Sequence, residues 1–175
     1  MKTDEEKLEE ARNKITTMMA NTMDLYGIPP SIGRLYATLY FSDGPMTLDE
    51  LKEAMGMSKT SMSTGVRKLE NDHFINKVWE KGVRKDLYEA QTDFFKSFVA
   101  FYCKMWYREI ELNMEAIKKA EPILKELTNS KNLEVKEKAQ KDMVKLSNAK
   151  EYYEWLKTLV ISLENGEIFD FIPKK

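Results

Sequence analysis

The spacing of apolar residues predicts a chain built mainly from helices. Residues 4–26 repeat apolar side chains mostly at intervals of three and four, which is typical of one amphipathic helix. The Pro29–Pro30 pair then ends this helix, because proline removes a backbone donor and clashes with the preceding turn. The first 30 residues are therefore expected to be a helix followed by a sharp break.

Three shorter helices are predicted next, and only the dipeptide Gly-Met separates the last two. A turn this short permits nothing but a tight corner, which is typical of a helix-turn-helix. The predicted helices cover residues 32–41 after an N-cap at Ser31, then Thr47 to Gly56, with Thr47 and Glu50 spaced as a capping box, then Ser58 to about Asp72.

Two strand-like runs follow the helix-turn-helix. They read FINKVW and KDLYEA, and the linking residues EKGVR place Gly82 at the turn. Short runs rich in β-branched and aromatic residues around a glycine indicate a β-hairpin. Helix, turn, helix and hairpin in this order predict a winged helix-turn-helix.

The last part of the chain predicts two long helices. The first begins near Thr92 and is expected to bend or break near Pro122, and the second runs from about Leu133 to Glu164. The closing IFDFIPKK is apolar enough to be expected to dock on a neighbouring element. A coiled-coil-like seam is indicated by Ala139, Leu146, Tyr153 and Val160 at seven-residue intervals, with Ala149, Leu156 and Leu163 as its second row.

The predicted fold class is therefore mainly α with a small β-hairpin wing, a winged helix-turn-helix joined to long dimerisation helices. Three segments are expected. Residues 1–30 form an N-terminal helix in a dimer interface, residues 31–91 form the DNA-binding domain, and residues 92–175 form a helical dimerisation and candidate effector region.

The helix that starts at Ser58 has two chemically different faces. At about 100° per residue, Met62, Val66, Leu69 and His73 fall on one inward stripe. Short hydroxyl side chains on the other face allow close approach to base edges and phosphates, and an arginine there suits guanine. This face predicts DNA contacts by Lys59, Thr60, Ser63, Thr64, Arg67, Lys68 and Asn71.

Charge is concentrated where DNA contact is predicted. The whole chain has a formal net charge of −1, yet Lys and Arg outnumber Asp and Glu by seven to four between residues 57 and 88. At the hairpin tip, Arg84 is the candidate for the minor groove, and Lys81 and Lys85 are candidates for phosphates. For any one of these cations, ordinary solvation is an equally good explanation.

Composition argues against several other classes of protein. A single cysteine, Cys103, excludes an intramolecular disulfide, and a single histidine leaves little for a zinc site or a catalytic pair. Phosphate-binding glycine loops and HExxH pairs are absent, so no enzyme is predicted. An acidic N-terminus and the lack of a run of about 20 apolar residues predict a cytoplasmic protein without a membrane span. Cys103 is expected to be buried.

The sequence also resembles a known family over nearly its whole length. The segments TMDLYGIPPSIGRLYATLYF, PMTLDELKEAMGMSKTSMSTGVRKLE and VWEKGVRKDLYEA resemble the GbsR-type repressors, a branch of the MarR-like winged helix regulators, as do EYYEWLKTLV and EIFDFIPKK. The resemblance implies a cytoplasmic homodimer that binds a palindromic operator in double-stranded DNA. It also implies repression of genes for synthesis or import of glycine betaine and related osmoprotectants, with choline or a betaine as candidate inducer.

An aromatic cluster begins where the wing ends. Quaternary ammonium groups are held by cation–π attraction and apolar contact, so this cluster is a candidate cage for such an inducer. An aromatic stripe at helical spacing is also what a helix core requires, and both interpretations stay open. The candidate ligand-binding residues are Phe94, Phe98, Tyr102 and Trp106 at four-residue spacing, with Tyr36 from an earlier helix.

A second function class accounts for the near-neutral net charge. In this alternative, the winged helix is a homodimeric protein–protein interaction module without specific DNA binding, and the long helices are its working surface. Salt-dependent binding to a duplex would separate the two hypotheses, because phosphate neutralisation makes DNA affinity fall with ionic strength.

Overall fold

The protein is described by a computed structural model that covers residues 2–174 and divides into two compact units. The N-terminal unit extends to residue 98, and the C-terminal unit begins at residue 99. Within residues 2–174, no helix combines the length and the apolar character needed to cross a bilayer.

Helix α1, Asp4–Leu25, begins with a complete capping box. The Thr3 hydroxyl accepts a hydrogen bond from the Glu6 amide, and the Glu6 carboxylate accepts one from the Thr3 amide. Burial is confined to the C-terminal part of the helix, at Met19, Ala20 and Met23. The first four turns of α1 therefore depend on their cap and on surface ion pairs rather than on core packing within the unit.

Helix α2, Pro30–Tyr40, starts one position before Ser31, which was predicted as its N-cap. Pro29 is the N-cap, and Pro30 occupies the first helical position. Proline is well suited there, because its fixed φ is already helical and its missing N–H has no intrahelical partner to lose. The prediction of Ser31 as the cap was wrong for this reason.

Helices α3, Leu48–Met55, and α4, Lys59–Asn71, form the predicted helix-turn-helix. Thr47 and Glu50 make the expected capping box, and Ser58 caps α4 by accepting from the Ser61 amide at 3.1 Å. Gly56 ends α3 with φ +62°, a left-handed conformation that glycine adopts without steric cost. These predicted helix boundaries are confirmed.

A three-stranded antiparallel sheet follows, one strand more than predicted. The hairpin strands are β2, Ile75–Val78, and β3, Leu87–Ala90, and a two-residue strand β1, Met46–Thr47, pairs with the other edge of β3. The strand order β1–β3–β2 places β3 at the centre. The wing is thus joined by hydrogen bonds to the residues that start α3.

His73 lies outside the core, contrary to the prediction. It has φ +62° and is exposed, in the turn that follows α4. Its amide donates to the Glu70 carbonyl, and the Phe74 amide donates to the Leu69 carbonyl, which closes the helix end. Because the helix stops at Asn71, helical spacing no longer describes residue 73, and Phe74 is buried instead.

In the C-terminal unit, residues of two long helices pack together in one apolar core. Helix α5, Phe94–Leu127, begins in the N-terminal unit and continues into this one, and α6 is Leu133–Glu164. Cys103 is buried as predicted, in a cluster with Ile110, Leu156, Val160 and Leu163. Ala139, Val160, Leu156 and Leu163 of the predicted seam are buried, and Leu146, Tyr153 and Ala149 are half-buried.

Two details of this unit bear on the expectations. Helix α5 continues through Pro122 without interruption, so the expected break is absent, and a bend at this position stays a prediction. Because proline has no N–H, the carbonyl of Lys118 loses its usual hydrogen-bond donor. Pro122 and Lys118 are both exposed, and the carbonyl is therefore open to solvent. The C-terminal segment forms a short helix α7, Ile168–Phe171, in which Ile168 packs on the core while Phe171 is 82% exposed. Docking is therefore seen within this unit at Ile168, and docking of the end of the segment stays a prediction. The predicted fold class, mainly helical with a small sheet in a winged helix arrangement, is confirmed.

Candidate nucleic-acid interface

Helix α4 separates apolar and polar side chains as its wheel predicts. Met62, Gly65, Val66 and Leu69 are buried on one side. The residues predicted to contact DNA lie on the opposite side, where all are exposed except Ser63, which is half-buried: Lys59, Thr60, Ser63, Thr64, Arg67, Lys68 and Asn71. The structure thus brings the hydroxyl groups and Arg67 together on one outward face.

Gly65 explains how α4 sits close to the helix beneath it. A Cβ atom at this position would lie 2.8 Å from Cδ2 of Leu35, a side chain of α2 that is itself fully buried. Only glycine leaves space for this approach without moving Leu35. The tight contact orients the outward face of α4 relative to the rest of the unit.

The cations of α4 differ in their availability. Lys68 makes an ion pair with Asp72 at 2.6 Å, between side chains four positions apart on the helix. Arg67 makes no ion pair with any acid among residues 2–174, so its guanidinium presents its donors to solvent. Of the two neighbouring cations, Arg67 is the one prepared for a bidentate contact with a base.

Asp49 joins two cations that were predicted to bind DNA. Its carboxylate lies 2.8 Å from the ammonium group of Lys59 at the start of α4 and 2.8 Å from that of Lys85 in the wing. Hydrogen bonds and charge from Lys59 and then Lys85 lower the pKa of Asp49 to about 2. This carboxylate is therefore charged throughout the neutral range, and it links the wing to the helix-turn-helix.

The wing tip carries the remaining predicted contacts. Lys81 and Arg84 are exposed, and within the described chain neither makes an ion pair with an acid. Lys77, in β2, pairs with Asp86 across the hairpin at 2.8 Å, which raises the pKa of Lys77. The tip therefore presents two unpaired positive charges beyond a neutralised pair.

The candidate ligand residues are divided between the two units. Tyr36 is buried, and its hydroxyl donates to the Gln91 carbonyl oxygen at 2.9 Å. Burial raises the pKa of Tyr36 well above its ordinary value. Phe94 is 55% exposed and stacks on Tyr40, with ring centroids 5.5 Å apart.

The other aromatic candidates follow along α5. Phe98 is the last residue of the N-terminal unit and is exposed. In the C-terminal unit, the rings of Tyr102 and Trp106 are 5.2 Å apart and both side chains are half-buried. Trp106 also contacts the apolar core of its unit. Adjacent half-buried rings are compatible with both a core and a ligand surface, as the sequence also left open.

Sequence reasoning missed Asp49. It occupies the first turn of α3, where an acid is ordinary because it complements the helix dipole. Its contact with Lys85 spans 36 positions of the chain, so no local pattern announces it. The signal in the sequence was weak. It consisted of an acid in the first turn of α3 and two cations, Lys59 and Lys85, that were predicted to lie on the same surface.

Comparisons with known proteins identify relatives of this chain. A family sequence model described as "GbsR family transcriptional regulator, C-terminal helical hairpin" matches residues 94–170. The HTH-type transcriptional repressor GbsR of Bacillus subtilis is 44% identical over 168 residues, covering 95% of this chain and 93% of that protein. The HTH-type transcriptional repressor OpcR of the same organism is 36% identical over 169 residues, covering 95% of this chain and 91% of that protein.

The fold also has a counterpart among solved structures. A crystal structure of a transcriptional regulator superposes with a TM-score of 0.52 at 17% identity, covering 89% of this chain and 99% of the other. This likeness supports the architecture. The assignment to a family rests on the 44% identity to GbsR of Bacillus subtilis, which extends over nearly the whole length of both chains. The chain belongs to the GbsR family of helix-turn-helix transcriptional regulators.

Proposed function

We propose that the protein is a homodimeric repressor that binds a palindromic operator through α4. The outward face of α4 is the observation that carries this proposal: hydroxyl groups and an unpaired Arg67 stand on a helix whose opposite side is buried. Such a helix enters the major groove, where arginine reads guanine and hydroxyls contact base edges and phosphates. Occupying the operator then blocks transcription by excluding polymerase.

The wing contributes contacts outside the half-site. Lys81 and Lys85 are assigned to phosphates and Arg84 to the minor groove. Lys59 and Lys85 each leave their shared partner Asp49 to reach a phosphate, and Lys68 leaves Asp72. In this scheme, the ion pairs described above belong to the free protein and are exchanged for phosphate contacts on binding.

Dimerisation is supported by apolar side chains left exposed on the long helices. Met105, Leu112 and Ile161 of the C-terminal unit are each more than 40% exposed. A second copy of the chain covers such surface at low cost when the interface is symmetric. Residues 92–175, with the N-terminal helix of residues 1–30, are assigned to this role, and residues 31–91 to DNA. The two copies of α4 then lie about 34–36 Å apart, one duplex turn.

The regulated genes are proposed to serve synthesis or import of osmoprotectants such as glycine betaine, and the protein to act in the cytoplasm. The relatives GbsR and OpcR are named as HTH-type transcriptional repressors, which supports a repressor, and the resemblance to the GbsR-type repressors supports the choice of genes. A quaternary ammonium inducer, choline or glycine betaine, is proposed to bind among Phe94, Phe98, Tyr102, Trp106 and Tyr36 and to shift the population towards dimers that no longer match the operator.

The test is selection of bound duplexes from a random pool by the purified full-length protein. We expect a palindromic sequence to emerge, with half-sites one helical turn apart. Gel-shift titrations of that duplex at several salt concentrations should show affinity falling linearly on a logarithmic salt scale. Failure to enrich any sequence, together with no salt-dependent binding, would contradict the proposal and favour a protein-interaction module.

A further inference from the structure

Trp79 is unusually exposed for its residue type. Its side chain is 79% exposed, although it directly follows β2. The other large apolar residues of the hairpin, Ile75, Leu87 and Tyr88, are buried. Tryptophan has the largest side chain, and burying such area is the main favourable term in folding. The fold of the unit therefore gains little from this indole, which leaves its apolar surface available to a partner.

The register of the hairpin locates Trp79 at the entrance to the wing tip. Val78 pairs with Leu87 as the last pair of the ladder, so Trp79 is the first residue of the connecting loop. It lies two residues past Lys77, whose ammonium group pairs with the Asp86 carboxylate at 2.8 Å across the hairpin. The indole therefore begins the loop that also carries Lys81, Arg84 and Lys85.

The charges around Trp79 favour a polyanionic partner. Residues 77–86 hold four basic and two acidic side chains, which gives a local charge of +2. Lys77 pairs with Asp86, and Lys85 shares Asp49 with Lys59, whereas Lys81 and Arg84 make no ion pair within residues 2–174. An exposed indole inside a cationic rim complements duplex DNA, in which phosphates flank the apolar faces of deoxyribose and the base edges.

We propose that Trp79 is a DNA-contacting residue of the wing, whose indole packs against deoxyribose and base edges in the minor groove beside each half-site. This inference rests on the proposed function and adds a new kind of contact to it. Lys81 and Arg84 neutralise phosphates and depend on salt, while the indole contributes apolar contact that does not release counterions. Trp79 thus adds affinity that survives at physiological ionic strength.

The test compares Trp79→Ala, Trp79→Phe and Lys81→Ala in the full-length protein on the duplex that the wild type selects. We expect Trp79→Ala to weaken binding by about fivefold to 100-fold, the range for loss of an aromatic contact with nucleic acid. Its salt slope should equal that of the wild type, whereas Lys81→Ala should reduce the slope by about one. Trp79→Phe should retain part of the affinity.

Hydroxyl-radical footprinting gives an independent readout, since this probe attacks deoxyribose from the minor groove. Trp79→Ala should lose protection at sugars flanking each half-site and keep the protection within it. Unchanged affinity with an unchanged footprint would overturn the inference, as would a loss of affinity that parallels a lower unfolding midpoint. If the wild type binds no duplex at all, the proposed function and this inference are both wrong. If the wild type binds the selected duplex and the Trp79 variants bind it equally well, only this inference is wrong.

Discussion

The carboxylate of Asp49 lies 2.8 Å from the ammonium group of Lys85, which is 36 positions later in the chain. The same carboxylate holds Lys59 at 2.8 Å. Two cations assigned to DNA phosphates thus share one acid in the free protein, which offsets one of their two charges. This arrangement links the wing to the helix-turn-helix, and it also competes with DNA for both lysines.

Asp49→Asn is expected to strengthen binding to non-specific duplex. Lys59 and Lys85 then neutralise phosphates without first losing an acidic partner, so affinity should rise at every salt concentration, while the logarithmic salt slope, which counts neutralised phosphates, should change by less than about one. Gel-shift titrations with a random-sequence duplex at four or more salt concentrations measure this slope. Asp43→Asn is the matched control, because Asp43 is exposed and makes no ion pair within residues 2–174.

The pH dependence of this effect has a definite sign. The pKa of Asp49 is lowered to about 2, so the ion pairs are present above the ordinary carboxyl value and are lost only as pH falls towards 2. Between pH 6 and 8, the difference between wild type and Asp49→Asn should therefore stay constant. A difference that changes over this range would show that another titrating group controls the two lysines.

Arg67→Ala is expected to weaken operator binding by about 1–3 kcal/mol and to relax base preference at one position of each half-site. Lys81→Ala should instead weaken binding evenly across sequences, because it removes a phosphate contact. Selection experiments repeated with each variant measure preference, and gel shifts measure affinity. Lys118→Ala, an exposed cation of α5, is the control for loss of charge. Unchanged affinity and preference in Arg67→Ala would contradict the docking of α4.

Two glycines should respond differently to the same substitution. Both Gly33→Ala and Gly65→Ala gain about 1 kcal/mol of helix propensity. At Gly65, the new Cβ lies 2.8 Å from Cδ2 of Leu35, the end of a side chain that can change rotamer. At Gly33 it lies 2.7 Å from the Cα atom of Ala20, which moves only with α1. Overpacking costs about 1–3 kcal/mol, so Gly33→Ala should be the more destabilising variant.

Urea denaturation of both variants tests this order. The midpoint should fall further for Gly33→Ala, with a similar dependence on denaturant for both proteins. Equal midpoints, or the reverse order, would show that α1 is able to move away from α2 more easily than Leu35 changes rotamer. Ala20 would then not be a fixed part of the α1–α2 contact.

The aromatic cage makes a prediction for ligand binding. Calorimetry with choline and with glycine betaine should give measurable binding to the wild type and weaker binding to Trp106→Ala. A cation–π contact is worth about 0.5–2 kcal/mol, so affinity should fall between twofold and about 30-fold. Trp155→Phe, at an exposed position of α6, is the control for aromatic content. No heat from either ligand with the wild type would remove the cage hypothesis for these inducers.

The helix boundaries around the turn were predictable because their determinants are local. Thr47, Ser58 and Gly56 act through hydrogen bonds and dihedral angles within one turn of their own position. Strand β1 was missed because two residues have no periodicity and exist as a strand only by pairing with β3. His73 was misplaced because the wheel was extended two residues past the end of α4.

In the candidate interface, too, local features were predictable from the sequence and contacts between distant segments were not. The outward face of α4 follows from helical spacing, and residues 59–71 obey it throughout. The ion pairs of Asp49 with Lys59 and Lys85 depend on how distant segments meet, which apolar patterning does not encode. Trp79 was read only as part of a strand, because a pattern of apolar residues does not distinguish a buried indole from an exposed one.

The central position of β3 has a mechanical consequence. Because β3 pairs with β2 on one side and with Met46 and Thr47 on the other, the wing cannot detach without also freeing the residues that cap α3. Hydrogen exchange at these amides should therefore report one shared opening event, with the hairpin and the first helix of the motif loosening together as a single cooperative unit.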